Sequence, residues 1–162
     1  MTIQIQQIES HQIAEAKRVI LSVARNIFQW QAPLEEIILQ FDEQGELKDI
    51  DELQSHYFDR QGIFLVAMDQ GKIIGTGAIR KADSETAELK RLWLLEEYHG
   101  QGIGYQLMQM LLQFAQTAGY QHIHLLTDRR QDRAISFYQR LGFKPIQCDN
   151  NDPDDICMQL AI

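Results

Sequence analysis

Three glycines at alternate positions, Gly100, Gly102 and Gly104 in "YHGQGIGYQLMQMLLQFAQTAGY", stand between an apolar stretch and a run with helical spacing. Ile103, Leu107, Met110, Leu111, Phe114 and Ala118 recur every three or four residues, and Gly119 follows where a helix stops. The preceding "AELKRLWLL", Ala87 to Leu95, reads as a strand, and "HIHLLT" after the helix is short and nearly continuous in apolar character. A strand, a glycine turn, a helix and a further strand form one right-handed parallel crossover, which commits this part of the chain to an α/β arrangement. A helix start also leaves N–H groups unpaired and partly positive. Glycines there let backbone reach an anion with no Cβ in the way.

The remaining elements arrange themselves around that crossover. Ile3, Ile5 and Ile8 suggest a first strand, and Ser10 is placed to cap a helix carrying Ile13, Ala16, Ile20, Val23 and Ile27. Pro33 suits the first turn of a second helix through Leu34, Ile37, Ile38 and Phe41. Residues 42–59 turn polar and acidic, a loop with some helix. "GIFLVAM" and "KIIGTGAIR" flank Asp69-Gln70-Gly71, a hairpin signal. Beyond the crossover, Asp132 to Leu141 reads as a helix ended by Gly142, and "KPIQC" and "DICMQLAI" are closing strands around a "DNNDPD" turn. The order is β-α-α-β-β-β-α-β-α-β-β. That predicts a mixed, mostly antiparallel central sheet with helices on both faces, in a single domain spanning 1–162.

Composition narrows the function classes. A formal net charge of −8 argues against nucleic-acid binding, which needs a basic face. Cys148 and Cys157 lack C-x-x-C spacing, so they are expected to be thiols, buried or free, and no metal site is expected. No basic region followed by an apolar one opens the chain, and no apolar run approaches the ~20 residues that span a bilayer. The expectation is a cytoplasmic protein without membrane contact.

Two ligand classes fit a glycine turn of this kind. A dinucleotide would use it with Asp128, at the end of the next strand, on a ribose hydroxyl. Against that, four residues separate strand from first glycine, and a G-x-G-x-x-G pattern would need its last glycine at Tyr105. Instead, "LKRLWLLEEYHGQGIGYQLMQMLLQFAQ" resembles the acetyl-CoA-binding motif of GNAT-type N-acetyltransferases, Arg/Gln-x-x-Gly-x-Gly/Ala. "RAISFYQRLGF", Arg133 to Phe143, resembles the motif that follows it in that superfamily. The resemblance covers most of the chain beyond residue 60.

That resemblance implies an acetyl-CoA-dependent N-acetyltransferase working by direct attack in a ternary complex. The backbone of Gly100, Gln101, Gly102, Ile103 and Gly104, with His99, would cradle the diphosphate, and Leu92, Trp93 and Leu94 would pair with the pantetheine arm as an added strand. His99 stands where the family usually has Arg or Gln. Gln131 stands where a cofactor-contacting Asn is common, so a non-catalytic acyl-CoA-binding module is the alternative reading. Homodimerisation through "DICMQLAI" is compatible with the family's habits.

Amine acetylation needs a neutral amine, a stabilised oxyanion and a proton for the departing thiolate. The resemblance implies Tyr138 as the acid, a backbone N–H near Leu94 as the oxyanion donor and Glu88 as the base. Strict alternation along the strand would put Glu88 on the face of Lys90, Leu92 and Leu94. His122, His124 and Tyr98 are other candidate bases. In this fold the first two helices and the following loop form the acceptor's wall, where the acidic run suits a cationic amine such as a polyamine, an aminoglycoside-like amine or a lysine. Trp30 and Trp93 are candidates for lining the acceptor pocket.

Overall fold

In the computed structural model, which describes residues 2–162, the chain forms one seven-stranded sheet in the order β1-β2-β3-β4-β5-β7-β6. The strands are β1 (Ile3–Gln7), β2 (Ile63–Asp69), β3 (Lys72–Lys81), β4 (Thr86–Leu94), β5 (His122–Asp128), β6 (Lys144–Ile146) and β7 (Asp155–Ala161). The helices are α1 (Ile13–Phe28), α2 (Leu34–Glu43), α3 (Lys48–Asp51), α4 (Leu53–His56), α5 (Ile103–Thr117) and α6 (Asp132–Leu141). Of the strand pairs, β4 with β5 is parallel and the others are antiparallel. The order agrees with the sequence reading, with the acidic stretch resolved into the short helices α3 and α4. At the first helix Ser10 does not cap: Glu9 and Gln12 form a reciprocal capping box around a 3-10 turn.

Hydrophobic periodicity explains the layers. Along β2, Phe64, Val66 and Met68 pack into a cluster with Ile20, Leu21, Ile37, Leu47, Ile50 and Tyr57. The intervening Leu65 and Ala67 pack on the other face with Leu107, Leu111 and Ile123. Successive side chains of a strand point to opposite faces, so a central strand with helices on both sides must be apolar throughout. The α1–α4 region therefore covers one face, and α5 and α6 cover the other. Leu107 and Leu111 are fully buried on the inner face of α5, and truncating either to Ala should cost about 2–5 kcal/mol.

Two features of the sheet shape the site. First, β4 and β5 pair only through Thr86–His122, Ala87–Ile123 and Glu88–His124, and then separate. Second, β4 carries one extra residue against β3: Ala78 pairs with Lys90 but Thr76 with Trp93. Arg91, at φ +57°, occupies this bulge. One inserted residue transfers every later side chain to the opposite face. Leu92 and Leu94 consequently join Ala87 and Leu89 on the α5 face, while Glu88 and Lys90 face the α1 side. The expectation that Glu88 shares a face with Leu92 and Leu94 is thereby corrected.

Cys148 and Cys157 also depart from expectation, being joined as a disulfide with Cα atoms 5.3 Å apart. The cause is strand pairing: Ile146 lies opposite Cys157, so the chain leaving β6 brings Cys148 beside it.

Candidate functional site

The turn between β4 and α5 builds the first wall of the site. Gly100 and Gly102 have φ of +78° and +79°, a left-handed conformation that costs side-chain-bearing residues. Apart from the glycine itself and the residues adjoining it in sequence, no heavy atom of the described residues lies within 4 Å of where a Cβ would stand on either. The glycines thus satisfy a backbone requirement and leave open space before the first turn of α5, whose N–H groups face it. Gly104 lies inside the helix with the Phe137 ring nearby.

A cavity of about 880 Å³ opens over this turn. It is bounded by Leu92–Glu96 from the end of β4, by His99 and the glycines, and by Arg130–Ala134, Phe137, Tyr138, Arg140 and Leu141 from α6 and its approach. On the far side lie Val23, Asn26 and Ile27 of α1. Because α1 and α5 cover opposite faces of the sheet, the cavity passes through the sheet plane at the place where β4 parts from β5.

Backbone direction at that opening follows from one hydrogen bond. The Leu95 N–H donates to the Ile74 carbonyl at 3.0 Å, so Leu95 points toward β3. Successive strand residues alternate, and the Leu94 N–H and carbonyl therefore face the opened edge. His99 Nε2 donates to that carbonyl at 3.1 Å. The ring closes the end of β4, and the Leu94 N–H remains directed into the cavity.

Tyr138 sits on the opposite wall, 6% exposed, with its ring centroid 5.6 Å from that of Phe143. Burial pushes its hydroxyl well above the ordinary tyrosine range, and no charged neighbour contributes. The group is therefore a protonated donor at neutral pH. Gln131 lines the cavity at the start of α6, whereas Gln101 turns outward, its side-chain amide donating to the Glu97 carbonyl at 3.4 Å.

The structure does not bring Glu88 into the cavity wall. Its Oε1 lies 3.1 Å from Arg80 Nε and 3.7 Å from Lys90 Nζ, on the α1 face beside the last paired row of β4 and β5. Burial lowers the Lys90 ammonium below its usual range against the pull of Glu88. Of the other base candidates, Tyr98 donates to Asp69 at 2.7 Å. His122 and His124 lie on β5 outside the cavity lining, as does Trp30, which packs on Phe28 and Phe41. Asp128, the ribose partner of the dinucleotide alternative, is held at both oxygens by Arg130 at 2.8 Å, which draws its carboxyl down to about 2.

The acidic run finds partners within the protein. Asp42 and Asp51 hold Lys17 at 2.6 and 2.8 Å, and Glu52 lies 3.3 Å from His56. Asp49 accepts from Tyr57 at 2.5 Å and from Arg91 at 3.1 and 2.7 Å. Burial would raise the Asp49 carboxyl, but the hydrogen bonds and charge of Arg91 outweigh it and hold it below its usual range. None of these carboxylates lines the cavity. The acidic wall expected for a cationic acceptor is replaced there by Val23, Asn26 and Ile27.

Sequence reasoning passed over the cationic side of the cavity: Arg130, Arg133 and Arg140. Arg133 and Arg140 are seven residues apart, and with Phe137 between them they share one helical face, a spacing visible in the sequence. Arg130 instead depends on folding, since its guanidinium lies 4.7 Å from the centre of the Phe28 ring at the end of α1. Among the described residues no helix is long and apolar enough to cross a membrane.

Relatives agree with this architecture. Over 101 residues the chain is 34% identical to N-acetyltransferase family 8 member 2 of Rattus norvegicus, a match covering 59% of this chain and 45% of that protein. The chain thus spans about half the length of the curated relatives it matches. Among solved structures, a GNAT-family acetyltransferase from Staphylococcus aureus superposes with a TM-score of 0.83 at 22% identity, covering 99% of both chains. The PaiA N-acetyltransferase of Thermoplasma acidophilum, solved in complex with coenzyme A, superposes with a TM-score of 0.80 at 23% identity over the whole of both chains. Residues 24–143 match the acetyltransferase (GNAT) family, and with that span the chain belongs to it.

Proposed function

We propose that the protein transfers an acetyl group from acetyl-CoA to a primary amine, both bound at once in the cavity between β4 and β5. The observation that carries this reading is the continuity of that cavity. It joins the glycine turn on one face of the sheet to α1 on the other, with Tyr138 on its wall. The residues fit an acyl-CoA: open space over Gly100 and Gly102 for a diphosphate, Arg133 and Arg140 beside it, and the free edge of β4 for an extended amide-bearing arm. The thioester supplies an activated acyl group.

The chain's own residues have separate tasks. The Leu94 N–H donates to the acyl oxygen as charge develops there. Tyr138, kept protonated by burial, gives its proton to the departing sulfur. Glu88, on the α1 face and outside the cavity lining, takes the amine's proton through water, with Arg80 and Lys90 holding the carboxylate. Val23, Ile27 and Trp93 favour an amine carried on an apolar body over a polycation.

The test is calorimetric titration with acetyl-CoA, with NAD in parallel. A panel of apolar amines and polyamines is then screened for CoA thiol release. Acetyl-CoA binding with thiol release on apolar amines is the expected result. Binding without release from any amine would favour a non-catalytic acyl-CoA module, and preference for NAD would overturn the reading.

A further inference from the structure

A left-handed position in a bulge such as that of β4 favours glycine. An extra residue in the left-handed conformation lies opposite a single partner, and a side chain there is strained by its own Cβ. Here the position holds Arg91 at φ +57°. Its guanidinium is held from the far side of the α1 face by residues more than forty positions earlier. Nε donates to Asp49 Oδ2 at 3.1 Å, while Nη2 donates to Asp49 Oδ1 at 2.7 Å and to the Glu46 carbonyl at 2.8 Å. Tyr57, fully buried, donates to the same Asp49 carboxylate. The backbone is caught too, since Thr76 Oγ1 on β3 donates to the Arg91 carbonyl at 2.6 Å.

The residues immediately after the bulge are Leu92, Trp93 and Leu94, the edge of the cavity. Without the extra residue, strand alternation would turn the Leu94 N–H toward β3 and away from the opening. Gly77 opposite accommodates the shifted Leu92, whose Cδ1 would stand 3.1 Å from a Cβ at that position. A glycine at 91 would adopt the same backbone shape without strain, whereas the arginine keeps it only through the contacts to Asp49, Glu46 and Thr76.

We infer that Arg91 is a positioning residue: clamped by Asp49 and the Glu46 carbonyl, it holds the β4 bulge that turns the Leu92–Leu94 backbone into the cavity. The inference rests on the proposed acetyl-CoA reading. It makes the segment 46–57, on the acceptor's side, a determinant of cofactor affinity that it does not touch.

The experiment compares acetyl-CoA affinity and thermal midpoint for the unaltered chain, Asp49→Ala, Arg91→Ala, Arg91→Gly and the pair Asp49→Ala with Arg91→Gly, all at a temperature where each is folded. Asp49→Ala and Arg91→Ala should weaken acetyl-CoA binding about tenfold or more, the population cost of an unsupported left-handed residue. Adding Arg91→Gly to Asp49→Ala should bring affinity back to within roughly threefold of the unaltered chain while the thermal midpoint stays depressed, because glycine adopts the conformation unaided. A clamp that only staples the fold would leave affinity equal across the folded variants, or leave the pair no better than Asp49→Ala, and either result overturns the inference. Should Asp49→Ala fail to fold, Arg91→Ala against Arg91→Gly decides, with equal affinities overturning it. Absence of binding by the unaltered chain would instead overturn the acetyl-CoA reading itself.

Discussion

The glycine turn ahead of α5 and the acidic segment 42–59 are both polar stretches that the sequence offered as walls of the site; only the turn lines the cavity, and the two work by different means. At the turn, the working groups are backbone N–H groups contiguous in sequence. The residue types needed to expose them, Gly100 and Gly102 with positive φ, are dictated locally. In the acidic segment the working groups are side-chain carboxylates, and what each does depends on which cation folding brings to it. Lys17 takes two of them and Arg91 a third. A motif made of backbone can be read from its letters, whereas a charge has no function until its partner is known.

Removing the Tyr138 hydroxyl tests the site that the turn serves, and it should have the largest effect. Tyr138→Phe is expected to lower kcat by roughly 10²–10⁴-fold, the usual contribution of a positioned acid, with acetyl-CoA affinity unchanged. Undiminished turnover in a thiol-release assay would return Tyr138 to a packing role. Next, Gly102→Val forces a β-branched side chain into the left-handed region at a cost of about 1–2 kcal/mol or more. Calorimetry should show acetyl-CoA affinity reduced about tenfold or more, while circular dichroism shows an intact fold, since no neighbour would meet the new Cβ within 4 Å.

The acidic segment is tested by proton linkage. Asp49 is held below its ordinary pKa in the folded chain, so its stabilisation is complete above the unfolded carboxylate range and is lost as pH falls through the depressed folded value. The gap in thermal midpoint between the unaltered chain and Asp49→Asn should narrow steadily between about pH 5 and the acid limit of folding. A gap independent of pH would show that the ion pair contributes nothing. The smallest effect is expected at exposed carboxylates with no ion-pair partner among the described residues. Glu43→Gln should shift stability by no more than about 0.5 kcal/mol. It should also leave the acceptor's KM unaltered, whereas a marked rise in KM with a polyamine would restore the acidic run as an acceptor wall.

Much of the fold was legible because its signals are local. The hairpin at Asp69-Gln70-Gly71, the stop of α5 at Gly119 and the span of α6 from Asp132 to Gly142 follow from turn chemistry and periodicity, and all stand where they were expected. Ser10 failed as a cap because the Glu9–Gln12 pair competes for the same backbone groups. The Cys148–Cys157 bond escaped because the spacing of nine residues acquires meaning only from the β6–β7 register.

In the candidate site the same division holds. From the sequence alone came the glycine turn, the strand leading into it, Gln131 and the tyrosine on α6, each part of an unbroken stretch of chain. Tertiary structure decided that Glu88 faces away from Leu92 and Leu94, and that of the expected acceptor wall it is α1, rather than α2 or the acidic stretch, that lines the cavity. It also decided that the acidic run serves Lys17 and Arg91. Those outcomes turn on a single inserted residue in β4 and on pairings between segments dozens of residues apart. Backbone conformation is set by near neighbours, while the partner of a charge and the face of a side chain are set by whatever the whole fold packs against them.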